Sequence, residues 1–240
     1  MVTLNLRSAR KAALVGLLLA GLKGSVARAD EPEAAQKARP VIVDRVIARW
    51  RTVDQDSASV GHLVFARELA FESRIEAMAL GDAPEVKLAD RHIRAALTRH
   101  VTESLLEELP LDPPATPSEI GERAEKARSA LEARVGGASR LEAARVLERL
   151  DTEEVDAILR RTARASLYLD RMVAPVLVPT DLELRELHAA GKTPYSDRRF
   201  VDVVDKLRRL LLSQRMAGAL EEFWQRARSR IVITWVKSRR

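Results

Sequence analysis

The chain of 240 residues contains no cysteine. No disulfide can form, no thiol nucleophile is available, and no cysteine is on offer for a bacterial lipid anchor. Aromatic residues are scarce at 4%, and alanine and leucine dominate the apolar share, which favours helices over a β sandwich. The phosphate-cradling glycine loop, the G-x-S-x-G elbow and the H-E-x-x-H zinc motif are all missing. A spanning helix needs about 20 apolar residues. The run "AALVGLLLAGL", Ala12 to Leu22, stops at Lys23 after 11 residues.

That short run has a different reading. Arg7, Arg10 and Lys11 precede it as a positive region, and "ARA", with Ala27 and Ala29 at the −3 and −1 positions, follows it. This is the three-part pattern of a secretory signal peptide over 1–29, so export to the periplasm is expected, with no stable membrane insertion after cleavage. Cleavage alters the charge. The full chain has 41 basic and 35 acidic residues, but the first 29 residues hold five of the basic ones and none of the acidic ones, so the mature chain is close to neutral at +1. A nucleic-acid binder is expected to keep a strong basic patch, so nucleic acid is not an expected partner. The alternation of Arg and Glu along the helices reads as solvated faces with i,i+4 pairs.

Residues 30–40, "DEPEAAQKARP", read as a flexible mature N-terminus, and 41–240 as one generous domain or two lobes joined near 110–117, where "LPLDPPATP" interrupts the helical pattern. Only two runs have strand composition: Val41–Trp50 and Ile231–Val236. A lone strand leaves its ladder groups unpaired, so these two are expected to pair, with Ile42, Val46 and Trp50 on one face and Ile231, Ile233 and Trp235 on one face of the other. Between them almost everything reads as helix, beginning with "GHLVFARELAFESRIEAMALGD". Thr116 with Glu119 and Thr180 with Glu183 are capping signals, Asp151 is a third cap, and Gly81, Gly136-Gly137 and Gly191 are stops. The last helix, from about Asp197 to Arg230, carries one stripe through Phe200, Val203, Leu207, Leu211, Ala217, Leu220 and Trp224, expected to pack into a core. The expected fold is therefore mostly α, closed by a small two-stranded β ribbon.

Chemistry-bearing constellations are weak. His92 and His100 share a helix face eight residues apart, unlike the i,i+4 spacing of a single-helix zinc pair, so no metal is expected. Adjacent pairs such as Glu107-Glu108 diverge on a helix and cannot act as paired acid and base. No cofactor and no enzymatic activity are expected. Phe65, Phe71, Met78, Met172 and Met216 are the candidate peptide-binding residues, because Met and aromatic side chains suit promiscuous contacts, although core packing explains most of them.

The order of these parts resembles the SurA-type periplasmic chaperones. "VPTDLELRELHAAG" resembles the short helix that precedes a parvulin-type isomerase module in that family, and "RRFVDVVDKLRRLLLSQRMAGALEEFWQRARSRIVITWV" resembles the helix and strand that complete its N-terminal lobe. With Val41–Leu80, the resemblance covers about half the chain. Only "KTPYSD" joins the two segments here, which leaves no room for the isomerase. The resemblance therefore implies the chaperone lobe alone, binding unfolded or outer-membrane-bound polypeptides without ATP, cofactor or isomerase activity. The rival expectation is a periplasmic helical adaptor with one specific folded partner. Export is checked by N-terminal sequencing of the mature protein: it should begin at Asp30, and a soluble product beginning at Met1 would remove the periplasmic reading.

Overall fold

In the computed structural model, residues 44–53 and 61–236 are described, all within one compact unit. The signal segment with Ala27 and Ala29, the 30–40 segment, Ile42 and the final "KSRR" lie outside the described residues. The order is β1 (Val46–Thr52), β2 (His62–Phe65), α1 (Ala66–Ala79), α2 (Asp90–Glu108), α3 (Pro117–Val135), α4 (Ala138–Leu147), α5 (Thr152–Tyr168), a π-helical turn (Leu169–Val173), α6 (Ala174–Leu177), α7 (Asp181–Ala189), α8 (Phe200–Arg228) and β3 (Ile231–Trp235). The protein is mostly helical, with one small antiparallel sheet. Among the described residues no helix is long and apolar enough to cross a membrane.

The first and last strands do pair. β3 runs antiparallel to β1, with Ala48 opposite Trp235, Trp50 opposite Ile233 and Thr52 opposite Ile231. Val53 N–H donates to Arg230 O at 2.7 Å and Val236 N–H to Ile47 O at 2.9 Å, extending the ladder at both ends. The expected two-stranded ribbon is, however, a three-stranded sheet of order β2-β1-β3. The sequence "HLVF", expected inside the first helix, is the third strand, and α1 begins directly after it at Ala66. A central strand needs ladder partners on both edges, and this demand outweighs the helical spacing of Leu63 and Ala66. Gly61 makes the return possible. Its φ is +68°, and a Cβ there would stand 2.8 Å from the carbonyl oxygen of Trp50.

The inner face of the sheet carries Ala48, Trp50 and Val64, which pack with Leu69 of α1 and with Ala96, Leu97 and Val101 of α2. Trp50 is 1% exposed, and its ring stacks on His62 at 4.0 Å. Trp235 differs from expectation: it is 54% exposed, while Ile231 and Ile233 are half-buried against this core. The opposite side of α1 forms a second core. Phe71, Ile75 and Met78 meet Val135, Leu141, Val155 and Ile158 from α3, α4 and α5.

The capping residues act as their types require. Thr116, Asp151 and Thr180 each accept a hydrogen bond from the amide three residues on, and Glu119, Glu154 and Glu183 reach back to the cap amides. Each such cap is worth about 1 kcal/mol. The helical path of α5 does not end before Pro175, although α5 itself stops at Tyr168. The π-helical turn at Leu169–Val173 opens the hydrogen-bond ladder just ahead of the proline, and α6 continues through it.

Helix α8 is a strut. At 29 residues it is about 44 Å long. Its first turns pack on α7 through Leu184, Val203 and Leu207. Its far end reaches the sheet core through Trp224 and then becomes β3. Val203 and Leu207 are its only buried residues.

Deleting residues 231–240 should abolish most of the cooperative thermal transition. It removes one whole edge of the ladder and two isoleucines worth roughly 1.5–3 kcal/mol each when fully buried, against a typical total of about 5–15 kcal/mol. Deleting only 237–240 should leave the melting temperature unchanged within error. Equal melting of the longer deletion and the full chain would show that β3 does not hold the fold.

Candidate functional site

The apolar stripe of α8 predicts burial, yet none of its residues past Leu207 is fully buried. Between it and helices α2 and α5 lies an open cavity of about 710 Å³. Leu106 of α2, Ala165 of α5 and Leu169 at the start of the π-helical turn form one side, and Ala217, Leu220 and Trp224 of α8 form the other. The volume lies within the roughly 300–1,000 Å³ range of sites that take small molecules or a few side chains. Arg94 and Glu221 stand at the rim, and Arg99, Glu103 and Thr162 supply a polar floor. Two tethers secure α8 up to its midpoint. Arg215 pairs with Glu183 and donates to Leu177 O at 3.2 Å, and Arg208 meets Asp181 at 3.1 Å.

Beneath the floor is a buried ionic cluster. Glu72 is 1% exposed in the middle of α1. The Arg161 guanidinium of α5 donates to Glu72 and, at 2.6 Å, to Glu68. His100 of α2 lies 3.1 Å from Glu72 through its Nδ1. Arg99 and Arg134 both meet Glu76 at 2.6 Å. Charges that sequence patterning assigns to solvated faces are thus drawn inward between helices, with Glu72 fully buried and Glu68 and Glu76 partly so, because α1 packs on both faces.

Burial pushes the Glu72 carboxyl up. The hydrogen bond from His100, with the charges of Arg161, His100 and Arg99, outweighs it, so its pKa is lowered overall. Glu103 goes the other way. Burial raises its pKa, the charge of Arg99 only partly offsets this, and the charge of Glu72 adds to the rise. For Arg161, burial opposes the charge, but Glu72, Glu68 and Glu103 together raise its pKa.

Glu68, Glu72 and His100 bring one ligand atom each within 4.8 Å of one another, the convergence a metal would need. Spacing along α2 shows no carboxylate partner for His100, because both come from another helix, 28 and 32 positions earlier. Arg161 already sits on both carboxylates, so the cation these groups attract is its guanidinium.

The five candidate peptide-binding residues do not converge. Phe71 and Met78, 1% and 2% exposed, are core residues beneath α3, α4 and α5 and are closed to a client, which corrects the expectation for both. They sit on the core side of α1, where helical spacing alone buries them. Phe65 borders a separate cavity of about 250 Å³ beside α5. Met172 is 42% exposed on the π-helical turn, and Met216 is half-buried on α8. None of the five lines the large groove. In the sequence its residues are visible only as the α8 stripe, which signals that a cover exists without saying what the cover is.

Comparison with known proteins finds no matching family model, no matching curated protein and no matching solved structure.

The cluster sets two opposite expectations. Glu72 contributes stability that is present above its unfolded pKa and lost as pH falls through its lowered folded value. Glu72→Gln should therefore destabilise at neutral pH by about 3–5 kcal/mol, since Arg161 is left buried with one partner fewer. Glu103, with its raised pKa, disfavours the fold as pH rises through that value. Glu103→Gln should melt at the wild-type temperature or higher at neutral pH, and the difference should vanish in acid, where Glu103 itself is neutral. Thermal melts of both variants across pH check the pair. Destabilisation by Glu103→Gln at neutral pH would contradict the assignment.

Proposed function

We propose that the protein is an ATP-independent, chaperone-like binder of unfolded or extended polypeptide, acting in the periplasm on outer-membrane or other unfolded clients. The single observation that carries this reading is the open, apolar-walled groove between α2, α5 and α8. Its walls are Leu, Ala and Trp side chains that offer shape-tolerant contact, and a polypeptide's apolar residues fit such a surface without a fixed sequence. Affinity per contact is weak, because an unfolded client loses conformational freedom when it is held. The protein works by holding and release, not by a chemical step, and carries no prolyl isomerase activity. The signal-like N-terminus and the SurA-type resemblance support the location and the client class.

The test is aggregation of an unfolded outer-membrane protein or chemically denatured model client without nucleotide. A near-stoichiometric amount of the mature protein should slow light scattering several-fold. Ala217→Trp, at an exposed position facing the groove, should fill it and remove most of the protection while leaving the melting temperature unchanged. No protection by the wild type, with tight one-to-one binding to a single folded protein, would favour an adaptor instead.

A further inference from the structure

Charged side chains make up the groove floor. In the ionic cluster the carboxylates of Glu68, Glu72, Glu76 and Glu103 face the guanidiniums of Arg99, Arg134 and Arg161. Of the four carboxylates, Glu103 is the one with no guanidinium nitrogen within hydrogen-bonding distance. Arg161 directs its two terminal nitrogens to Glu68 and Glu72, and its Nε has no hydrogen-bond partner. That Nε is 3.8 Å from Glu103, beyond hydrogen-bonding reach. Arg99 directs its terminal nitrogen to Glu76, and its own Nε lies 3.9 Å from Glu103. Glu103 accepts one close hydrogen bond, from the Thr162 hydroxyl at 2.9 Å.

Glu103 is also placed where a ligand can reach it. With Arg99 and Thr162 it forms the wall shared by the large groove and a smaller cavity of about 220 Å³ bounded by α1, α3 and α5. Its side chain keeps 15% of its surface exposed. A carboxylate with spare lone pairs at the bottom of an apolar cleft attracts a cation more strongly than one on the open surface, since the walls exclude water. The rim charges do not cancel it. Arg94 lies 3.8 Å from Asp90, and Glu221 accepts a hydrogen bond from Gln225 at 2.5 Å.

We infer that the groove selects an apolar polypeptide segment bearing a basic side chain, whose ammonium or guanidinium group reaches Glu103 beside Thr162 while its apolar neighbours lie on Leu106, Leu169, Leu220 and Trp224. This inference rests on the peptide-binding reading of the groove and narrows its clients to segments in which Lys or Arg interrupts an apolar run. A segment with Asp or Glu at the same place is rejected, because two carboxylates would then share a water-poor cleft.

The experiment uses the mature protein and three fluorescein-labelled apolar peptides of about 12 residues, identical except for a central Lys, norleucine or Glu. Fluorescence anisotropy at low salt should show the Lys peptide binding about tenfold more tightly than the norleucine peptide, the size of one charge-assisted hydrogen bond, with the Glu peptide weaker still. In Glu103→Gln the Lys and norleucine peptides should bind alike, at the wild-type norleucine affinity, while a normal melt shows the variant folded. Ala217→Trp should weaken all three. Equal binding of Lys and norleucine peptides by the wild type would overturn this inference and leave the peptide-binding reading standing. Binding of none of them would overturn both. A Lys preference that survives Glu103→Gln would place the selectivity elsewhere and overturn the role of Glu103.

Discussion

The central strand β1 is the constraint on which the rest of the structure depends. It must satisfy backbone donors and acceptors on both edges. β2 serves one edge from the next stretch of chain, and β3 serves the other from its far end. Closing a loop of this length costs only logarithmically more than closing a short one. The consequence is architectural. Because β3 is anchored, the end of α8 is anchored, and because α7 holds the start of α8, the helix is fixed at both ends and its 217–224 stretch faces the groove. The third wall of the groove is thus a product of strand pairing some distance away.

Much of this architecture is readable from local chemistry. Thr116, Asp151 and Thr180 cap where they stand because capping involves residues three apart and needs nothing from the tertiary fold. Ile231–Trp235 and the residues around Trp50 declare themselves by β-branched and aromatic content. His62–Phe65 does not. Four residues are too few to establish a period of two, and Leu63 and Ala66 fit the helical spacing of the residues after them.

The site is less legible than the fold, for a physical reason. Glu72 and Arg161 are 89 positions apart, and a charged residue on a helix looks the same in sequence whether it faces water or another helix. Burial of Glu72 follows only from which helices meet on α1. The α8 stripe behaves similarly. Val203 and Leu207 meet a core and Ala217 and Leu220 meet a groove, yet the spacing of the four is continuous.

The stretch of α8 between the Arg215 tether and Trp224, which faces the groove, has no buried residue. Bending of that stretch is opposed chiefly by its own backbone hydrogen bonds, since none of its side chains is buried. Moving that stretch outward displaces no buried side chain of α8, whereas moving α2 or α5 would disturb Leu97, Val101, Ile158 and Leu159 in the two cores. The groove therefore has two stiff walls and one compliant one. Its width follows the curvature of that one stretch of helix, so a change in curvature would alter the groove while the body keeps its shape.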